Sequence, residues 1–391
     1  MEKDNRDIRL KKSITSESFV FILLFFLIFG VVSRKMGLIN MVNTFMNTSY
    51  SLLINTVFYI TGIAVLMGAL SELLLEFGVV ALVNKILSPV IRPIYDLPGA
   101  STIAIFSTYF SDNPAILPLA QNKSFKSYFK KYQFYGLANL GTAFGMGLIT
   151  SAFIIGLEGP SGERFISSVV IGNIGAVIGS IVSTRLMLSF TKKIFGKEDY
   201  FEDLDGAIYD MAKYREIREG GIFSRFLSAA MEGGMQGVKM GVEIVPGVLI
   251  ICTLVLVLTF GPSEAGTYTG AANEGVALLP LLGDKLKFIL KPIFGFENSA
   301  NLAVPITALG AAGAAIALIP GLVKDGLADA GNLAVLTAMC MCWSGYLSTH
   351  VAMMDSLGRR DLAGKAILSH TIGGLVAGIM ANLIFKLYMF F

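Results

Sequence analysis

Long apolar runs alternate with short polar stretches along most of the chain, and this pattern predicts membrane-spanning helices. Six runs approach or exceed the roughly 20 residues that cross a bilayer as an α-helix: 18–32, 52–75, 135–156, 165–190, 244–260 and 366–389. Two further regions, 77–119 and 276–346, are apolar but repeatedly interrupted by Gly, Pro, Asn, Asp and Glu. The pattern therefore predicts an all-α, polytopic membrane protein in which some helices are broken or re-entrant.

The clearest interruption is the segment SDNPAILPLAQN, residues 111–122. Pro114 lacks a backbone N–H and disfavours helical backbone at Asn113, so a continuous helix is unfavourable here. Non-helical backbone is tolerated at membrane depth only where protein or a water-filled cavity satisfies its polar groups. We therefore predict that residues 77–121 form a re-entrant hairpin whose break faces a cavity.

Composition and charge agree with a membrane protein and orient it. Of the 391 residues, 54% are hydrophobic and 15% are charged, and the mean hydropathy is +0.68. The net charge of +3 is too small to indicate nucleic-acid binding. Basic residues cluster instead in segments 3–12, 123–131 and 192–225, which the positive-inside rule places in the cytoplasm. The first apolar run then reads as a retained signal anchor in a bacterial cytoplasmic membrane, with a cytoplasmic N-terminus.

The chain contains a pair of similar units. Residues 82–105 align without gaps with residues 281–304, and Pro93-Ile-Tyr falls on Pro292-Ile-Phe. A second match aligns residues 111–136 with 348–373, which requires an insertion within 305–341 of the second unit. The helix that leads into the first unit runs towards the cytoplasm, whereas its counterpart leaves the cytoplasmic loop. The sequence therefore predicts two inverted repeats, a common plan among transporters.

These observations divide the chain into four parts. The expected divisions are 1–40 as N-terminus and signal anchor, 41–190 as the first repeat with its following spans, 191–225 as a cytoplasmic linker, and 226–391 as the second repeat.

The paired units resemble a known family. Each has an amphipathic lead-in such as SAAMEGGMQGVKMGVEIVPGVLIICTL, then a proline-aromatic step, then a polar break. This plan resembles the nucleoside-recognition or "Gate" domain of the sporulation maturation membrane proteins A and B and of the membrane part of the bacterial ferrous-iron transporter. More distantly, it resembles the concentrative nucleoside transporters. The resemblance covers 42–155 and 226–391 and implies transport or gating, while no soluble GTPase portion and no defined nucleoside-binding motif are found.

Polar residues at the two predicted breaks are the candidate binding groups, because a charged side chain inside the bilayer costs a few kcal/mol and its presence there indicates a function. They are Ser101, Thr102, Ser111, Asp112 and Asn113 in the first unit and Glu297, Asn298, Ser299 and Asn301 in the second. The alternative is that these residues cap half-helices, since Asp, Asn and Ser are good N-caps. Both interpretations are open at this point.

Coupling to an ion gradient has four candidates: Asp112, Glu243, Glu297 and His350. The carboxylates suit Na⁺ or H⁺, and a histidine titrates near neutral pH. No metal-binding spacing of His and Cys is present, so neither a fixed metal nor a cofactor is expected.

The predicted function is secondary transport of a small polar solute, driven by a cation gradient, by alternating access. The chain has no Walker motif and no G-x-S-x-G, so an enzyme is not expected. A membrane scaffold or regulatory partner and a channel are the alternatives. The expected partners are the solute and membrane lipid, without nucleic acid, and a homo-oligomer is left open.

Overall fold

The computed structural model describes residues 12–121, 123–201, 214–215, 217–263 and 265–391. These residues are almost entirely helical, and they contain no β-strand. The first half contains α1 (Ser16–Met36), α2 (Leu38–Ser51), α3 (Phe58–Glu76), α4 (Val79–Tyr95), α5 (Ser101–Phe110), α6 (Ile116–Gln121), α7 (Lys123–Lys126), α8 (Lys131–Phe134), α9 (Leu137–Thr142), α10 (Gly147–Ile155) and α11 (Ile166–Phe195). The second half contains α12 (Ile222–Pro246), α13 (Thr253–Thr259), α14 (Leu278–Phe294), α15 (Ala303–Ala308), α16 (Ala312–Lys324), α17 (Ala330–Cys342), α18 (Tyr346–Ser356) and α19 (Ala363–Phe390).

Six of the helical stretches are long and apolar enough to cross a membrane, which confirms the all-α polytopic prediction. They are Ser16–Met36, Leu38–Glu76, Lys131–Ile155, Ile166–Phe195, Ile222–Thr259 and Arg360–Phe390. Two of them are 39 and 38 residues long, because short π-helical segments, Leu52–Val57 and Gly247–Cys252, join their α-helical halves. Both stretches are longer than a bilayer requires, so they either tilt or extend beyond it.

The two halves repeat one order of elements with a constant offset in residue number. Helices α4 and α14 are each 17 residues long, and residues with left-handed backbone flank both. The step from Gly78 to Ala277, before these helices, equals the step from Asp96 to Gly295, after them. The same step leads from the left-handed residue before α10 to its counterpart before α18. We call this constant step the repeat offset.

The repeat offset corrects the second sequence match. It pairs Ser111 with Gly310 rather than with Ser348, so no insertion within 305–341 is needed. The mismatch has a simple cause, since apolar segments with scattered polar residues match one another by composition. The first match, 82–105 with 281–304, has the correct offset and coincides with α4 and α14.

Helices of the two units cross each other in antiparallel directions, and α11 and α19 are counterparts by the repeat offset. Helix α3 contacts α12 so closely that a Cβ at Gly233 would overlap Gly68, and one at Gly237 would overlap Ala64. Helix α11 contacts α19 through Gly179 and Gly373. Small residues let helix backbones approach closely in membranes. Antiparallel counterparts are the arrangement that an inverted repeat requires, whereas the direction of each unit across the membrane stays a prediction.

The end of the linker is fastened to the α3–α12 pair by charge. Arg218 donates to the carboxylates of Glu72 and Glu76 at 2.8 Å each and to Glu232 at 2.6 Å. Arg225 donates to Glu76 at 2.6 Å, so that carboxylate is paired twice while its side chain is 2% exposed. Two guanidinium groups thus compensate a carboxylate that would be costly to bury alone. The last part of the linker thereby becomes part of the helical framework.

Candidate functional site

Four interruptions of helices meet near the centre of the fold. The first separates α5 from α6 at residues 111–115, and the second separates α9 from α10 at 143–146. In the second unit, the interruptions are 309–311, between α15 and α16, and 343–345, between α17 and α18. Met146 and Gly345 have φ of +54° and +60°, so left-handed backbone ends two of the interruptions. Each unit therefore contributes one broken hairpin and one broken span.

The first interruption lies where Pro114 predicts it. Helix α5 ends at Phe110, and a 3₁₀ turn, Asn113–Ala115, precedes α6. Both arms contact α9 at Gly141, where Thr108 of α5 and Ile116 of α6 lie side by side. The chain thus turns back at the break, as a hairpin does. The hairpin is shorter than predicted, because the preceding part of 77–121 is the separate helix α4.

Direct contacts hold the interruptions together across the two units. The side-chain amide of Asn113, which is 2% exposed, donates to the backbone carbonyl of Ser344. Within the second unit, the backbone N–H of Gly345 donates to the carbonyl of Ala308 at 2.9 Å and joins its two interruptions. Gly145 lies against the side chains of Asn113 and Ser344, and a Cβ at this position would overlap Asn113 Oδ1. Backbone groups freed by the breaks are thus partly satisfied by the opposite unit.

A cavity of about 180 Å³ opens where the interruptions meet. Its walls include Asp112, Met146, Ser344 and Thr349, the residues 310–313, and one side of α12 around Glu243. This volume is well above the roughly 10–15 Å³ that one water molecule needs, and below the roughly 300 Å³ at which pockets for drug-sized ligands begin. The cavity therefore suits a small solute or an ion with part of its water shell.

Two carboxylates give the cavity a negative charge. Asp112 is half-buried and accepts a hydrogen bond from the backbone N–H of Asn113 at 2.7 Å, and Glu243 is close enough to repel it electrostatically. Neither carboxylate forms an ion pair with any residue that the structure describes. Like charges that share a cavity without a basic partner favour binding of a cation or of a proton. Both residues were among the sequence-predicted coupling candidates.

A buried polar chain lies next to the cavity. His350, the neighbour of Thr349, donates from Nδ1 to the carbonyl of Tyr346 at 2.9 Å. Its ring centroid is 4.8 Å from that of His370, whose Nε2 donates to the carbonyl of Cys342. Because carbonyl oxygens only accept, each ring has one nitrogen left with a lone pair.

The free lone pairs of the two histidines differ in their surroundings. His370 Nδ1 accepts from Ser183 Oγ at 2.8 Å, and that hydroxyl accepts from Asn139 at 3.0 Å. His350 Nε2 is fully buried and has no hydrogen-bond partner among the described residues. His350 Nε2 is therefore the ring nitrogen of this pair that has no hydrogen bond among the described residues.

Several sequence-predicted site residues lie outside the cavity. Ser101 and Thr102 are buried at the start of α5, and their hydroxyls donate to the carbonyls of Pro98 and Gly99. Ser111 borders a separate, smaller space of about 30 Å³ between α5, α3 and α12. The hydroxyls of Ser101 and Thr102 are thus occupied by backbone carbonyls; they donate rather than accept, so they do not act as N-caps of α5.

The second polar group, 297–301, also lies outside the cavity, because the interruption of the second unit lies further along the chain, at 309–311. Asn298 caps a turn by accepting from the backbone N–H of Ala300, and Ser299 donates to Pro280 and Asp284. Asn301 is buried and donates to the carbonyl of Leu327 at 2.7 Å.

Glu297 is an exposed surface carboxylate rather than part of the cavity. It forms an ion pair with Lys291 at 2.9 Å, and 59% of its side chain is exposed. The hydrogen bond from Lys291 lowers the pKa of Glu297 below its ordinary value. The sequence pattern predicted the break of the second unit at the polar run 297–301. The interruption lies instead at 309–311, Leu-Gly-Ala, which contains no polar side chain that could have marked it.

Sequence reasoning also missed cavity residues. Met146, Ser344 and Thr349 line the walls, but they belong to no recognisable binding motif. The available signal was the repeat itself. With the offset of the first sequence match extended along the whole unit, the break at Asp112 would have pointed to Ala311.

The chain is similar to known proteins in its structure but not in its sequence. No described protein family matches the sequence, and no curated protein matches it. Among solved structures, the chain is similar to CNTnw, a concentrative nucleoside transporter, in an inward-facing substrate-bound state. The identity is 14%, the TM-score is 0.53, and the match covers 86% of this chain and 80% of that one.

Variants of CNTnw in other states are also similar to the chain. A doubly substituted variant in an outward-facing state has 13% identity and a TM-score of 0.54, with 95% of this chain and 85% of that one covered. A variant in an intermediate state has 12% identity and a TM-score of 0.51, covering 95% and 86%. At such low identity these matches show the fold alone, and the chain therefore shares the all-helical, polytopic fold of the CNTnw structures.

Proposed function

We propose that the protein is a secondary transporter that moves a small polar solute across the cytoplasmic membrane by alternating access. The observation that carries this proposal is the cavity enclosed by four helix interruptions, two from each unit. Interrupted helices around a central site, in two units of opposite direction, are a recurring plan of secondary transporters. The likeness to CNTnw in inward-facing and outward-facing states supports the same plan.

The charge of the cavity suggests how an ion gradient drives transport. Asp112 and Glu243 face the cavity without basic partners among the described residues, so Na⁺ or H⁺ binding there relieves their mutual repulsion. A cation that neutralises this charge favours closure of the two units around the solute. His350, adjacent to the wall at Thr349, is a further coupling candidate through its unpartnered Nε2. Glu297 was also a candidate for ion coupling, but it forms an ion pair at the surface. We therefore assign the coupling of ion binding to transport to the two cavity carboxylates.

Ligand-induced stabilisation tests the proposal directly. The purified protein is heated with nucleosides, beginning with uridine, and with a library of small polar solutes, in sodium and in choline chloride. A bound solute at 100 times its Kd adds about 2.7 kcal/mol of stability, which a melting curve resolves. We expect Asp112→Asn and Glu243→Gln to fold but to lose the sodium- or proton-dependent part of the stabilisation, because each preserves volume and removes charge.

The matched control is Glu297→Gln, an exposed carboxylate that lies outside the cavity. It should respond to solute and cation as the parent does. If no solute stabilises the parent, the scaffold alternative gains support. Flux measurements in proteoliposomes distinguish a transporter from a channel. The flux through a transporter saturates as solute concentration rises, whereas the flux through a channel does not.

A further inference from the structure

A second, larger cavity lies at the end of α4, away from the four interruptions. Its volume is about 660 Å³. The lining is polar and aromatic, and includes Ser88, Arg92, Lys130, Tyr132, Gln133 and Tyr200. None of these residues lines the cavity at the four interruptions. The second cavity therefore needs its own explanation.

Of the charged residues that line this cavity, Asp96 and Lys130 have ionic partners and Arg92 has none among the described residues. Asp96 is paired with Lys192, and Lys130 is paired with Glu198 at 2.6 Å. Arg92 has neither a hydrogen bond nor an ion pair with any residue that the structure describes, and it is exposed. One positive charge therefore remains available to an anion.

The second unit provides an internal comparison, because its equivalent charge is neutralised. The repeat offset pairs Arg92 with Lys291, at the same position of α14, and Lys291 forms an ion pair with Glu297 at 2.9 Å. The residue equivalent to Glu297 in the first unit is Pro98, which has no charge. The basic residue near the end of α14, Lys291, is thus neutralised by Glu297, whereas its equivalent in α4, Arg92, has no carboxylate partner among the described residues.

The surroundings of Arg92 match the level of lipid headgroups. Helix α4 exposes a row of large apolar side chains, with Leu82 58%, Ile86 64% and Val90 48% exposed, as expected of a helix that lies in the membrane interface. Tyrosines are enriched at that level, and two of those lining this cavity, Tyr132 and Tyr200, lie near lysine ammonium groups. The basic segment 123–131, which adjoins the cavity, is predicted to be cytoplasmic.

We propose that this cavity binds the phosphate group of an anionic membrane phospholipid. Arg92 pairs with the phosphate, Ser88 can donate to a headgroup oxygen, and the acyl chains lie along the exposed apolar row of α4. A guanidinium suits a phosphate because its N–H groups bind two oxygens at once. The proposal is independent of transport activity.

Thermal stability in detergent tests this site. The parent protein is heated with phosphatidylglycerol or with phosphatidylcholine of the same acyl chains, and with inorganic phosphate in a third series. We expect phosphatidylglycerol to stabilise the parent at lower concentrations than phosphatidylcholine does. Arg92→Gln should weaken the apparent affinity for phosphatidylglycerol about fivefold, in line with one basic residue near a lipid surface. Lys291→Gln, the equivalent position whose charge is already paired, should leave that affinity unchanged.

A second variant tests the charge without removing Arg92. Pro98→Glu places a carboxylate where the second unit has Glu297, and it should lower phosphatidylglycerol affinity by pairing with Arg92. The proposal is overturned if both lipids stabilise parent and Arg92→Gln equally, or if Lys291→Gln lowers the affinity as much as Arg92→Gln. Stabilisation by inorganic phosphate that matches phosphatidylglycerol and depends on Arg92 would also overturn it, since the ligand would then be a soluble phosphate.

Discussion

At the scale of single residues, Glu274 shows how a loop carboxylate is used for structure. It lies between α13 and α14, is 4% exposed, and accepts hydrogen bonds from the hydroxyl of Thr269 at 2.7 Å and from the backbone N–H of Gly270 at 2.9 Å. Burial raises the pKa of Glu274, but the hydrogen bonds from Thr269 and from backbone N–H groups outweigh it, so the net pKa lies below the ordinary value of 4.5. The ionised form therefore stabilises the folded state.

This shift predicts a defined dependence on pH. A lowered pKa in the folded state contributes stability above pH 4.5, and that stability is lost as pH falls through the folded pKa. Glu274→Gln should cost about 1–3 kcal/mol at pH 7, because it removes a charged acceptor and places an amide donor against other donors. Melting curves of parent and variant should converge as pH falls below 4.5. A gap that stays constant with pH would mean that the carboxylate acts through packing alone.

Residue chemistry in the sequence predicted part of the cavity. Asp112, Asn113 and Glu243 were candidates because charged and amide groups are rare in apolar segments, and the structure brings them to the interruptions. The same reasoning placed Ser101 and Glu297 at the site. Sequence polarity does not reveal whether a hydroxyl is already bonded to a backbone carbonyl or a carboxylate to a neighbouring lysine, and both are the case here.

At the scale of elements, the long helices were predictable, but only one of the four helix interruptions, 111–115, was predicted in its place. Length and apolar composition decide whether a segment can cross a bilayer, so all six predicted runs correspond to longer helical stretches in the same places. The interruption at Pro114 was predicted because proline removes a backbone donor. Those at 309–311 and 343–345 consist largely of small or apolar residues, and tertiary contacts rather than local chemistry define them.

Close packing of α3 against α12 gives a prediction with a matched control. A Cβ at Gly233 would overlap the carbonyl of Gly68, whereas one at the next residue, Gly234, would meet Val65 at 3.5 Å, an ordinary contact. Gly233→Ala should therefore destabilise the protein by about 1–3 kcal/mol, as overpacking does. Gly234→Ala should be neutral or stabilising, because alanine favours helix by about 1 kcal/mol over glycine. The measurement is thermal unfolding of the purified proteins in one detergent, and equal melting temperatures would contradict the close crossing.

At the scale of the whole molecule, the repeat offset joins the two units into one plan. Residues at corresponding positions of the two units differ in chemistry, so the two units contribute different groups to the cavity. Asp112 and Asn113 correspond to Ala311 and Ala312, so the first hairpin supplies the polar groups and the second supplies backbone and small side chains. Glu243 adds the second charge from α12, which belongs to the other unit. The cavity is therefore complete only when both units are in place.

The direction of the two units across the membrane is the remaining test of this plan. If the repeat is inverted, α4 and α14 lie at opposite membrane faces, as do Lys85 and Lys285, exposed residues on these helices. The native cysteines, Cys252, Cys340 and Cys342, are all buried, so their background reaction should be low. With a membrane-impermeant maleimide, Lys85→Cys should react only in inside-out vesicles, and Lys285→Cys only in right-side-out vesicles. The positive-inside rule assigns α4 to the cytoplasmic face, because the basic segment 123–131 follows its hairpin. Labelling of both cysteines from one face would remove the inverted repeat and, with it, the structural basis for alternating access.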